Sequence, residues 1–333
     1  MRPAVRAAAI LAALIPGAGR VVMAQEPAPR MVEREIVVGE APLALPGLLT
    51  LPEGKGPFPL VVLVHGSGPN DRDEAVGPNR PFRDLAHGLA ERGVAVLRYD
   101  KRTRAHPMSF ANGRFTVREE TIDDALSAVR LARTIPEVDS RRVVVAGHSL
   151  GGILAPRIAA MDGKLAGVVL LAGASDESFP DMMERQFAYL ATVPGADTAA
   201  IARQARAVLP VLVRVRALTP ADSADSTPFL GAPASYWLDL AAYDPLETAK
   251  HLGIPMLVTQ GGRDYQMGDR AFAHWKSELA GRSDVTFRLY PALNHLFIAG
   301  EGPGNPAEYG IPGRVAEEVV ADLAAWIGAL PPR

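Results

Sequence analysis

Residues 143–152 read Val-Val-Val-Ala-Gly-His-Ser-Leu-Gly-Gly, and the Gly147-x-Ser149-x-Gly151 spacing has a steric meaning. On a tight turn between a buried strand and a helix, the serine hydroxyl is lifted clear of the sheet edge, and the small neighbours keep strand and helix from colliding. The helix N-terminus beneath it favours developing negative charge. A hydroxyl in that place is a candidate nucleophile, but a poor one until a base removes its proton. Histidine supplies such a base, and an acid on the far ring nitrogen fixes its tautomer and stabilises the imidazolium. The chemistry would be attack on an acyl carbon, with the acyl-enzyme resolved by water.

A glycine-rich turn carrying a capping serine is the plainer alternative, so the partners decide. Of the seven histidines, His274 falls mid-helix between Phe272 and Trp275, where a packed or surface ring is expected. His295 instead sits in the loop 291–297, just past an apolar run at 285–289, and is the expected base. For the acid, Asp264 follows the run ending at Gln260 and is preferred over Asp176 and Asp244. A tetrahedral intermediate also needs backbone donors. The N–H of Leu150 and an N–H of the loop His65-Gly66-Ser67-Gly68, most simply that of Ser67, are the expected pair.

The elements that must hold these residues follow from periodicity. The unbroken aliphatic run at 60–64 fits a strand buried on both faces of a parallel sheet, and 94–99, 143–147, 167–171, 255–259 and 285–289 supply further strands. Residues 32–38 and 47–51 fit two antiparallel strands ahead of them. Helical stripes intervene: Phe82, Leu85 and Leu89 on one, and Ile122, Ala125, Leu126 and Val129 on another that Thr121-Ile122-Asp123-Asp124 would cap. Further helices fit 269–280 and 315–327, while Pro156 is a mild discord in the helix after Ser149. The expected class is α/β, a mostly parallel sheet with helices on both faces. Residues 176–250 are too long for a simple crossover and read as a helical cap insertion, with helices at 182–190 and 198–215 and a break at 219–228.

Two charged loops, Asn70-Asp71-Arg72-Asp73 and Asp100-Lys101-Arg102, could suggest a cation. Arg72, Lys101 and Arg102 argue instead for mutual salt bridges between the loops, and no metal or cofactor is expected. His65 and His148 are expected to pack around the turn, and Tyr236 and Trp237 to belong to the core.

The whole chain has 333 residues, 48% hydrophobic and 22% charged, and can bury a large core. Its net charge of -2 gives no pull toward nucleic acid or anionic membranes. The absence of cysteine excludes disulfides, thiolate metal sites and a cysteine nucleophile. At the N-terminus, Arg2 and Arg6 precede an apolar run at 7–15, Pro16-Gly17 breaks it, and Val22-Met23-Ala24 offers small residues for processing. That pattern is a secretory signal over 1–24, leaving a mature domain 25–333 without a stable membrane anchor, exported to the periplasm or medium. The run is far short of the roughly 20 residues that span a bilayer.

Taken together, 65–73 (HGSGPNDRD), 97–102 (LRYDKR), 147–152 (GHSLGG), 260–265 (QGGRDY) and Asn294-His295 resemble bacterial carboxylesterases of the α/β-hydrolase superfamily. The likeness is nearest the dienelactone-hydrolase and serine-aminopeptidase branches and runs from about Leu60 to the C-terminus. It implies the α/β-hydrolase fold, the chain order Ser149, Asp264, His295, and cofactor-free hydrolysis of small carboxylic esters with short acyl chains. The alternatives are an aminopeptidase or amidase, or an acyltransferase, on the same triad. An inactive binding protein would lack a triad or oxyanion element, and none is missing.

Two outcomes are expected. Intact-mass measurement of the exported protein should place its first residue at Gln25, and a start at Met1 would contradict the signal. A fluorophosphonate should label Ser149, and Ser149→Ala should abolish turnover; an adduct mapped elsewhere would remove the serine from its role.

Overall fold

Residues 60–64 carry no polar alternation, and they form the centre of strand β3 (Phe58–Val64), buried on both faces. Val61 and Leu63 point into one core and Leu60, Val62 and Val64 into the other. Each is fully buried, an apolar gain of about 1.5–3 kcal/mol per side chain. The computed structural model describes residues 31–110 and 113–333. The expected export signal at 1–24 and the mature start at Gln25 lie outside the described residues.

Eight strands make one sheet in the order β1-β2-β4-β3-β5-β6-β7-β8. The remaining strands are β1 (Val32–Val38), β2 (Leu45–Leu51), β4 (Ala95–Tyr99), β5 (Val138–His148), β6 (Gly167–Leu171), β7 (Met256–Gly261) and β8 (Val285–Tyr290). Only β1 with β2 and β2 with β4 pair antiparallel; every other neighbour is parallel. Helices α1 (Pro81–Ala90) and α10 (Glu317–Ala329) cover one face; α3 (Asp123–Ala132) and α4 (Leu150–Asp162) cover the other. A short α2 (Arg102–Ala105) follows β4, and α9 (Asp269–Glu278) joins β7 to β8.

Register brings distant segments together. Val64 of β3 lies beside Gly147 of β5, so the chain after each strand leaves the sheet at the same level. His148 pairs with Leu171, Leu171 with Thr259, and Gly261 with Tyr290. The loops at 65–74, 149–150, 172–178, 262–268 and 291–297 therefore share the carboxyl edge, where ligands of parallel α/β sheets bind.

Between β6 and β7 the chain builds α5 (Phe179–Leu190), α6 (Thr198–Arg216), α7 (Ala234–Ala241) and α8 (Pro245–His251). Leu246 and Ala249 of α8 lie in the same core as α4, so α8 belongs to the body, and the roof over the carboxyl edge consists of α5–α7.

The start of α3 differs from its sequence expectation. Thr121 is buried inside a π-helical turn (Arg118–Ile122) and its hydroxyl donates to Glu120, so it caps nothing. The cap lies five residues earlier: Thr116 Oγ1 accepts the Arg118 N–H while Glu119 accepts the Thr116 N–H. Two neighbouring Thr-x-x-acid patterns, at 116–119 and 121–124, compete, and burial of Ile122 and Ala125 selects the earlier one. Helix α4 runs on through Pro156, which forgoes the bond to the Gly152 carbonyl.

Candidate active site

Ser149 occupies the turn between β5 and α4 with φ 52° and ψ -118°, a conformation that costs a non-glycine residue about 1–3 kcal/mol. Its N–H is held by the Leu171 carbonyl at 2.9 Å. A side chain on Gly147 would meet the Gly151 carbonyl oxygen at 2.0 Å, and one on Gly151 the Val64 oxygen at 2.3 Å. Both must be glycine for the turn to close.

His295 and Asp264 come together. His295 Nδ1 donates to Asp264 Oδ2 at 2.7 Å, and both residues are at most 5% exposed. Burial alone would raise the Asp264 carboxyl; the facing His295, the Met267 N–H and the Gln260 side-chain amide outweigh it and hold the group below the usual carboxylate range. Oδ1 accepts from the N–H groups of Gln266 and Met267, so both oxygens are committed. The rival acids lie elsewhere. Asp176 faces the half-exposed His274 at 3.5 Å, and Asp244 caps α8 through the Glu247 N–H.

Among the described residues Ser149 Oγ and His295 Nε2 share no hydrogen bond in this conformation; such bonds commonly tighten only with substrate bound. The two residues are instead linked through His148, whose ring lies tilted 4.7 Å from that of His295 and whose Nε2 donates to the His295 carbonyl at 3.0 Å.

Ser67, Ser149 and Leu150 line one cavity of about 470 Å³. Ile153 completes its floor, and Phe179, Met182, Val215, Trp237 and Leu238 of the inserted helices form an apolar roof. Trp237 thus serves both core and cavity, its indole N–H bound to the Phe229 carbonyl, whereas Tyr236 packs against Phe115. A larger groove of about 720 Å³ beside it reaches Asp264 but neither Ser149 nor Leu150, so the Ser149 turn opens into the smaller cavity.

The charged loops resolve differently from expectation. Arg72 does bridge to Asp100, at 3.2 Å, but Lys101 pairs with Glu120 and Arg102 with Asp124, both outside the loops, because the β4 exit faces the start of α3. Asp73 pairs with the buried Arg98, which also holds Thr50 and Glu33, and Asp71 accepts the N–H groups of Asp73 and Ala75. No group of three or more metal-ligating side chains occurs among the described residues.

Glu74 was not legible as a site residue. It is 3% exposed, with φ 50°; Oε1 accepts the Gly66 N–H at 2.6 Å, and Oε2 lies 2.9 Å from His148 Nδ1, out of line for a hydrogen bond. An acidic residue directly after the basic-acidic run was its only sequence signal. Burial drives His65 down to about 4, so it is neutral at pH 7, with Nε2 donating to the Asp71 carbonyl.

The model of the alpha/beta hydrolase family matches residues 61–308. Esterase EstD of Thermotoga maritima is 42% identical over 296 residues, covering 89% of this chain and 67% of that protein. Among solved structures, Est1E from Butyrivibrio proteoclasticus aligns with a TM-score of 0.56 at 16% identity, over 89% of this chain and 99% of the other. An esterase of Pyrococcus furiosus aligns with a TM-score of 0.55, also at 16% identity, over 91% and 92%. At those identities the two structures speak to the fold.

The hydrogen bond between Asp264 and His295 generates a direct comparison. Asp264→Asn should lower kcat on a p-nitrophenyl ester by about 10⁴, while Asp176→Asn stays near the parent rate. An active Asp264→Asn beside a crippled Asp176→Asn would reverse the assignment.

Proposed function

Because the chain belongs to the alpha/beta hydrolase family, we propose that it is a serine carboxylesterase, exported from the cytoplasm, that hydrolyses small esters with short acyl chains. The observation that carries the reading is the buried His295–Asp264 hydrogen bond beside a serine held at φ 52° on the floor of a roofed cavity. Ser149 Oγ attacks the ester carbonyl while His295 takes its proton, and Asp264 holds the imidazolium. The carbonyl oxygen becomes an oxyanion received by the N–H groups of Ser67 and Leu150. His295 returns the proton to the leaving alcohol. Water then attacks the acyl-enzyme, with His295 again as base, releasing the acid and restoring Ser149. No cofactor enters the sequence of steps.

Ester rather than amino-terminal peptide chemistry is favoured by the acids that line the cavity. An aminopeptidase needs a free carboxylate for the substrate ammonium, but Glu177 is paired with Arg185 at 2.9 Å and Asp176 faces His274. Export is supported by the basic, apolar and small-residue order of residues 1–24.

The roof sets the expected acyl preference. Each buried methylene contributes about 0.8 kcal/mol, so specificity climbs about fourfold per carbon while the chain fits. Once the chain meets the roof, overpacking outweighs further burial. Across p-nitrophenyl esters, kcat/KM should peak at about two to six acyl carbons and then fall, with aminoacyl anilides much slower. A steady rise to long chains would overturn the pocket argument, and faster anilide cleavage would favour the aminopeptidase reading.

A further inference from the structure

We propose that Glu74 and Lys101 are positioning residues for the oxyanion site, clamping Gly66 from opposite ends so that the next N–H, that of Ser67, points at the carbonyl oxygen above Ser149. The inference rests on Ser149 being the nucleophile.

Glu74 Oε1 accepts the Gly66 N–H at 2.6 Å, and Lys101 Nζ donates to the Gly66 carbonyl at 2.8 Å. Asn70 Nδ2 adds a bond to the same carbonyl at 3.2 Å. The Gly66 N–H is thereby used up and cannot serve the oxyanion. The peptide joining Gly66 to Ser67 is planar and trans, so its C=O and N–H point in opposite directions. An ammonium fixed on the carbonyl side turns the Ser67 N–H the other way, toward the cavity that Ser67 shares with Ser149 and Leu150. Among the described residues that N–H has no intramolecular partner. The cation on the carbonyl also polarises the amide and makes its N–H a stronger donor.

Stability alone does not account for the charges. Lys101 is 2% exposed and Glu120, its partner at 2.6 Å, 4%. A buried ion pair is commonly no more stabilising than an apolar pair of the same shape, whereas a fixed dipole at an oxyanion acts directly on the barrier. Burial would raise the Glu74 carboxyl, but the facing His148 ring and the Gly66 N–H hold it below the usual carboxylate range. Its other oxygen faces His148, which in turn holds the His295 carbonyl, so one carboxylate joins the oxyanion loop to the base loop.

The test removes both buried charges together, in Lys101→Met with Glu120→Gln, to keep volume and avoid an unpaired ion. Relative to the parent, kcat on the best p-nitrophenyl ester should fall about a hundredfold, the scale of one lost oxyanion donor, with KM little changed. Inhibition by a trifluoromethyl ketone, which forms the oxyanion, should weaken by the same factor as kcat/KM. The matching methyl ketone, which does not, should bind as before. A folded variant that keeps the parent kcat, or loses affinity for both ketones equally, would overturn the clamp. Ser149→Ala is run alongside: if it stays active the nucleophile reading fails, and if it is dead while the double variant is not, only the clamp fails. Should the double variant not fold, the unaltered enzyme crystallised as its phosphonate adduct decides. The phosphoryl oxygen should accept from Ser67 N and Leu150 N with Lys101 still on the Gly66 carbonyl, and an oxygen turned away from Ser67 N would refute the proposal.

Discussion

Ser149 stands in a backbone conformation that is unfavourable by about 1–3 kcal/mol, and the close approach of Gly147 to Gly151 is what makes that turn possible. A methyl group at either position would penetrate a carbonyl group of the neighbouring chain, pushing α4 away from β5 and β3. Everything the site needs hangs on that approach. It puts the hydroxyl above the carboxyl edge and the start of α4 behind it. It also leaves room for the 65–68 loop to pass over the serine. The strain is carried by the most deeply packed part of the molecule, where β3, β5 and β6 are covered on both faces, so relaxation of the turn would require displacing the core.

Around this turn the interior is unusually ionic. Arg98, Lys101, Glu74, Glu120, His148, Asp264 and His295 are all at most 6% exposed, yet each has an oppositely charged or hydrogen-bonding partner. Charges taken out of water are costly unless paired. The pairing here connects loops that belong to different strands: the exit of β3 to the exit of β4 and the start of α3, and the loop after β5 to the loop after β8. Fixed dipoles arranged in this way need no reorganisation when negative charge develops on a substrate. The apolar side chains of α5–α7 work in the same direction, since a lower local dielectric strengthens every such interaction.

Much of this was legible in the chain because it is local. Uninterrupted aliphatic runs place the central parallel strands β3, β5 and β6, since a strand buried on both faces has no polar side. The turn at Ser149 is visible because its steric demand falls on residues two positions away, and His295 and Asp264 are visible as candidates because each lies in the loop that follows a strand. What failed depends on contacts far apart in sequence. The cap of α3 was placed at Thr121 rather than Thr116, since both fit the local pattern and only packing separates them. Lys101 and Arg102 were assigned to the neighbouring loop by charge, but their acids come from the helical segment at 118–132.

The sequence alone determined the fold class, the chain order of the strands and helices and the serine-bearing turn, and it offered one loop histidine with three candidate acids, because each is written in spacing over a few residues. Tertiary structure alone decided which acid the histidine meets, which helices roof the cavity, and how Glu74, His148 and Lys101 are used. The reason is geometric. Strand register sets what faces what at the carboxyl edge, and register is a property of the whole sheet: Val64 beside Gly147 and His148 beside Leu171 bring together loops that no pattern within any one of them could have matched.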